Sequence, residues 1–264
     1  MSFKNKVVWI TGASSGIGRE LAVQLKKAGA KLILSSRKRE KLYELKQSLK
    51  TDLINTHILP LDLEDKANLA SKAAEAIKIY GKIDFLFNCG GISQRSLGLD
   101  TLPEIEEKIF DTNYWGTVLL SKYVIPQMIE NGGGSIVVIS SVVGKFGTMF
   151  RTSYSASKHA LHGYFESLRY EVEDKGIQIS IVCPGFINTE ITKNSVMGNG
   201  TLYDKMDQNQ LNGIPVQECV QKILTAVKKG KKEIIIARKE KWAVLLKRLS
   251  PSYLHKVLKK RAVV

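Results

Sequence analysis

Seven short runs rich in β-branched residues, separated by stretches with helical periodicity, constrain this chain more than any other feature. The runs are Lys6 to Thr11, Lys31 to Ser36, Thr56 to Leu61, Ile83 to Asn88, Ser135 to Ser140, Gln178 to Cys183 and Glu233 to Ala237. Near-continuous apolar runs suit strands buried on both faces, the environment of a parallel sheet. Amphipathic helices are expected between them, over roughly Gly16 to Ala28, Lys38 to Lys50, Leu63 to Tyr80, Pro103 to Asn131, Thr152 to Lys175 and Val216 to Lys228.

The alternation predicts an α/β fold: a single-domain, Rossmann-type doubly wound parallel sheet of about seven strands with helices on both faces. Two segments break the rhythm. Residues 186–215 are polar and rich in Gly and Asn, so they read as a substrate loop with a short helix inside residues 1–238. Residues 239–264 form a basic amphipathic C-terminal extension, two short helices divided at Ser250-Pro251.

The formal net charge is +15. From Lys228 onward thirteen Lys and Arg face two acids, which accounts for +11 of it. No apolar stretch approaches the roughly 18 residues of a spanning helix, and the first strand follows at once on MSFKNK without a signal-peptide core. A cytoplasmic location is expected. Cys89, Cys183 and Cys219 lack metal-ligand spacing, so reduced thiols and no metal are expected.

Directly after the first strand stands Thr11-Gly12-Ala13-Ser14-Ser15-Gly16-Ile17-Gly18, where a phosphate-binding turn belongs. Gly12 permits the tight turn, Gly16 the approach of a pyrophosphate and Gly18 the packing of helix on strand, with free N–H groups facing the anion. Ser14, Ser15 and Ile17 complete the expected contact. After the second strand come Ser36, Arg37 and Lys38 instead of an acid. A carboxylate there would bind ribose hydroxyls, whereas a guanidinium accepts a 2′-phosphate, so the cofactor reads as NADP(H). A solvated first helical turn is the competing reading of these cations.

Tyr154 and Lys158 lie four residues apart, on one face of an expected helix. A phenol is a poor proton shuttle near neutral pH, and an adjacent cation favours its phenolate. Alone, such a pair is common on surfaces. Together with Ser141, thirteen positions before Tyr154, with Asn113 in Thr112-Asn113-Tyr114-Trp115-Gly116, with Asp62-Leu63, Pro184-Gly185 and Thr189, it resembles the short-chain dehydrogenase/reductase family over nearly the whole chain.

The resemblance implies roles. Tyr154 would be the general acid in reduction and base in oxidation, with Ser141 polarising the substrate oxygen. Lys158 would bind the nicotinamide ribose and lower the Tyr154 pKa, and Asn113 would hold a relay water. Asp62 and Leu63 would meet the adenine, Asn88 and Gly90 the inner ribose, and Pro184, Gly185, Ile187 and Thr189 the nicotinamide amide and phosphates. The family's Asn-Asn-Ala-Gly is Asn88-Cys89-Gly90-Gly91 here, with Cys89 read as a small substitute, not a reactive thiol. A homodimer or homotetramer through the helices at Pro103 to Asn131 and Thr152 to Lys175 is likewise implied.

Val143, Phe146, Gln94, Phe186 and Met197 are expected to wall a mostly apolar pocket, which suits a hydrophobic ketone, aldehyde or secondary alcohol. In the extension, Trp242, Leu245, Leu246 and Leu249, then Tyr253, Leu254, Val257 and Leu258, recur at helical spacing beside Lys241, Lys247 and Arg248. Packing on the core or a second subunit is one reading, and peripheral contact with an anionic membrane is the other. No nucleic-acid module is recognisable. A non-catalytic NADP(H)-binding sensor or scaffold would keep the glycine turn but need not keep Ser141, Tyr154 and Lys158; epimerisation or enoyl reduction on the same fold are further alternatives.

Overall fold

β1 (Val7–Thr11) is buried along its whole length, as its apolar run demands. The structure, a computed structural model, describes residues 2–49 and 53–260; Lys50, the expected end of the second helix, and residues 261–264 of the extension lie outside the described residues. α1 (Gly16–Lys27), β2 (Lys31–Ser35), α2 (Arg39–Ser48), β3 (Thr56–Ile58), α3 (Leu69–Tyr80) and β4 (Phe85–Asn88) follow in turn. The second half adds α4 (Pro103–Phe110), α5 (Gly116–Glu130), β5 (Gly134–Ile139), α6 (Thr152–Val172), β6 (Ile177–Pro184), α7 (Gln208–Leu211), α8 (Val216–Lys228) and β7 (Glu233–Ile236). α9 (Glu240–Leu249) and α10 (Pro251–Lys260) form the extension, divided where expected by Ser250-Pro251.

All seven strands pair in parallel in the order β3-β2-β1-β4-β5-β6-β7. The order reverses between β1 and β4, where Thr11 lies beside Asn88 in register. Diverging chains open a crevice there, at the carboxyl ends of the strands. Alternation along β1 sends Val8 and Ile10 into one core and Val7 and Trp9 into the other, so the sheet is sandwiched between two apolar layers. Each such side chain stabilises the fold by about 1.5–3 kcal/mol.

Three elements differ from expectation. β3 ends at Ile58, short of the expected Leu61, although Leu59 and Leu61 still donate to the Leu34 and Ser36 carbonyls; on this edge strand Pro60 falls at a position that pairs with no neighbour. α3 starts at Leu69 and not at Leu63, since the Asp62 carboxylate accepts the Glu64 amide in a turn. The long helix expected at Pro103 to Asn131 is interrupted by a π-helical turn at Asp111–Trp115, a distortion that recurs at functional sites.

Candidate active site

Two cavities meet at the crevice. The first, about 440 Å³, runs from the glycine turn along the ends of β2 and β4 to Tyr154 and Lys158. Gly12, Ser14, Ser15, Gly16, Ile17, Gly18, Ser36, Arg37, Lys38, Asp62, Leu63, Gly90 and Thr189 all border it, as expected. The turn leaves no room for side chains. A Cβ on Gly12, whose φ is +64°, would stand 2.8 Å from Gly90 Cα, and one on Gly18 would stand 2.4 Å from the Gly12 carbonyl oxygen.

Sequence reasoning missed Thr11, whose Oγ1 accepts hydrogen bonds from the amides of Cys89 and Gly90 at 3.1 Å and so ties the two loops of the groove together. It also missed Lys41, a third cation beside Arg37 and Lys38. Arg39, by contrast, stacks on Tyr43 and donates to its hydroxyl along the helix. Arg37 lies 3.9 Å from Glu64, an exposed pair of small worth. The groove therefore fits an elongated nucleotide: the start of α1 has no acid in its first turn to repel phosphate, and three cations stand at the far end.

Asn88 corrects one expectation. Its side chain turns away from the groove and donates to Ser121 Oγ of α5 at 3.1 Å, because the last residue of β4 alternates toward the helix layer. Pro184, Gly185 and Ile187 border the second cavity and not the first, while Thr189 borders both.

That second cavity, about 780 Å³, is where Ser141 and Tyr154 face outward together. Val143, Phe146 and Phe186 wall it, as expected. Gln94 and Met197 do not. Gln94 is fully buried and instead caps the catalytic helix, its Oε1 accepting the amides of Ser153 at 2.9 Å and Tyr154 at 3.2 Å. Met197 sits in an exposed turn and pairs with Thr201. The roof comes from the extension: Trp242, Leu246, Tyr253, Leu254, Val257 and Leu258 line the cavity, and Leu254 packs with Val142, Val143, Phe146 and Tyr154 in a third apolar cluster.

Burial pushes the Tyr154 phenol above its ordinary pKa; the nearby Arg151 charge and a hydrogen bond with Ser141 pull it back. Lys158 Nζ donates to the Ile139 carbonyl at 2.9 Å and lies 5.8 Å from the centre of the Tyr154 ring, with burial drawing its pKa down to about 8. Arg151, one turn earlier, is thus a second cation near Tyr154 beside the expected Lys158. Arg151 is itself 8% exposed and is drawn down to about 10 by burial and by Arg95. Its position follows from Phe150, which holds a left-handed φ of +65° just before it.

Asn113 sits in the π-helical turn, fully buried. Its Oδ1 accepts the Ile92 amide at 2.8 Å, and its Nδ2 donates to the Ile92 carbonyl and to Ser157 Oγ. It pins the loop after β4 against the catalytic helix. Burial pushes the thiols of Cys89, Cys183 and Cys219 up, so all three are protonated near neutral pH. His162, Cys183 and Glu233 converge within 4.8 Å, but Lys145 already pairs with Glu233 and helps burial hold His162 down to about 4.

A family model described as short chain dehydrogenase matches residues 6–199. Dehydrogenase/reductase SDR family member 7B of Bos taurus is 38% identical over 98% of this chain and 82% of its own length. Among solved structures, a short chain dehydrogenase/reductase from Burkholderia phymatum in complex with NAD superposes with a TM-score of 0.86 at 21% identity, covering 96% of each chain. A short-chain dehydrogenase from Sphingobium yanoikuyae in complex with NADPH superposes with a TM-score of 0.77 at 26% identity, covering 95% of each.

Proposed function

The chain belongs to the short-chain dehydrogenase/reductase family of oxidoreductases, and from that premise we propose that it is an NADP(H)-dependent enzyme acting on a hydrophobic ketone or secondary alcohol through Tyr154. The observation that carries this reading is the meeting of the two cavities at one phenol: Tyr154 borders both the nucleotide groove and the apolar chamber. A bound nicotinamide would supply or accept the hydride there.

The chain's own groups supply the proton and the orientation. Tyr154, protonated near neutral pH because burial raises its pKa, gives its proton to the substrate oxygen in reduction. Ser141, hydrogen-bonded beside Tyr154, would turn its single hydroxyl proton from the Pro184 carbonyl to that oxygen. Its Oγ is held between the Pro184 carbonyl and the Val143 amide, both at 3.3 Å. Lys158 and the Asn113 clamp fix the catalytic helix against the groove.

The 2′-phosphate preference is supported by Arg37, Lys38 and Lys41 at the end of the groove. An apolar substrate is supported by the chamber wall of Val143, Phe146, Leu246, Leu254 and Leu258. Self-association through α5 and α6 is supported by Tyr123 and Tyr170, which stand exposed there. The test is Tyr154→Phe: turnover of an NADPH-driven carbonyl panel should fall by about 10²–10⁴ while NADPH fluorescence titration is unchanged. Unimpaired turnover would overturn the assignment of the acid.

A further inference from the structure

α9 and α10 have two working faces. Inward, Leu246, Leu254, Val257 and Leu258 roof the chamber. Outward, Trp242, Leu245 and Leu249 follow one another at i, i+3 and i+7, exposed by 59%, 44% and 74%, and Tyr253 continues the strip at 56%. Trp242, Leu245, Leu246 and Leu249 were expected to share one helical face; the structure splits them, with Leu246 half-buried against the chamber, Trp242 exposed but touching it, and Leu245 and Leu249 exposed away from it. Large apolar side chains exposed at helical spacing, with the Lys241 ammonium 5.8 Å from the centre of the Trp242 ring, mark an interaction surface.

The charge around the strip says what kind of partner fits. Lys241, Lys247, Arg248, Lys256, Lys259 and Lys260 are all exposed on the same two helices, and Lys239 is exposed just before them. No carboxylate among the described residues lies within 4.0 Å of any of them. The one acid of the pair, Glu240, turns back to accept the Arg238 amide. A second copy of this face would set cation against cation, because an isologous contact pairs each patch with itself. A nucleic acid would leave the leucines uncovered. An anionic lipid surface satisfies both features, since headgroups meet the ammonium groups while the apolar strip enters the acyl boundary.

We propose that the α9–α10 cap docks the protein peripherally on an anionic bilayer through Trp242, Leu245, Leu249 and Tyr253, with the surrounding lysines and Arg248 as the electrostatic collar. Trp242 and Tyr253 belong at once to the strip and to the chamber lining. Docking therefore sets the chamber's roof against the lipid phase, and an apolar substrate enters between the two helices without crossing water. The docking stands on the surface alone; the loading role rests on the chamber being the substrate site.

The test is flotation of the full chain on phosphatidylcholine vesicles with and without a phosphatidylserine fraction, at low and high salt. The wild type should float with the anionic vesicles and detach as salt screens the collar. Leu245→Ser/Leu249→Ser and Lys247→Glu/Arg248→Glu each alter exposed side chains outside the chamber, and each should cut the bound fraction at least about tenfold. NADPH binding and reduction of a water-soluble carbonyl should be unchanged in both, which separates loss of docking from failure of the catalytic reading. Equal flotation of wild type and variants, or none by the wild type, would overturn the proposal. So would a dimer in light scattering that the Leu245→Ser/Leu249→Ser protein loses, since the strip would then be a subunit contact.

Discussion

The Asp207 carboxylate lies 4.0 Å from the Arg151 guanidinium, and both side chains are almost fully enclosed. The same Oδ2 accepts a hydrogen bond from Arg95 Nη2, so one carboxylate of the loop at 186–215 faces two buried cations. Asp207 also caps α7 by accepting the Asn209 amide at 2.8 Å on its other oxygen. The contact joins the loop over the chamber to the turn that starts the catalytic helix. Asp207→Asn would leave both guanidiniums uncompensated and should lower stability in urea unfolding by about 3–5 kcal/mol. A loss below about 1 kcal/mol, the scale of a surface pair, would show that the contact does not hold the loop.

Arg151 favours the phenolate of Tyr154, so its removal should raise that pKa further. In Arg151→Met the rate of alcohol oxidation, which needs the phenolate, should rise only at a higher pH than in the wild type. Superimposable pH profiles would return the tuning to another group.

Lys158 has a folded-state pKa of about 8, below its ordinary value. Below pH 8 it is an ammonium and supports catalysis; as pH rises through 8 the charge is lost. The profile of kcat/KM for carbonyl reduction should therefore break downward near 8, because that ratio reports the free enzyme. Lys158→Arg, charged throughout, should remove the break even where its rate is lower.

Arg37 borders the nucleotide groove opposite Glu64. Charge-assisted hydrogen bonds contribute about 1.5–3 kcal/mol, so Arg37→Ala should weaken NADPH binding by about ten- to a hundredfold and leave NADH unaffected. Equal loss for both nucleotides in a fluorescence titration would place the 2′-phosphate elsewhere.

Gly18→Ala puts a methyl group 2.4 Å from the Gly12 carbonyl oxygen, a backbone atom that cannot swing aside. The turn must shift, at a cost of about 1–3 kcal/mol, and binding of either nucleotide should weaken. An unchanged melting temperature would mean that α1 moves off β1 without penalty.

The sequence by itself determined the sheet, its helices and the nearby site pairs, because these follow from local patterns. Alternating apolar runs specify buried strands, and the spacing of Gly12, Gly16 and Gly18 or of Tyr154 and Lys158 acts within one turn of helix or loop. Ser141 and Asn113 were placed by resemblance; Ser141 hydrogen-bonds Tyr154, whereas Asn113 bonds Ile92 and Ser157. What only the tertiary structure decided depends on contacts between residues far apart in the chain. Nothing in the pattern around Gln94 says that it caps a helix 58 positions later, or that Asp207 meets Arg151 and Arg95. The burial of Asn88 toward Ser121 and the split of α9 into a lining face and an exposed strip likewise emerge only when the layers pack. Hydrophobic periodicity tells which faces are apolar; which of them a cavity, a core or a lipid surface covers is settled by where the other elements stand.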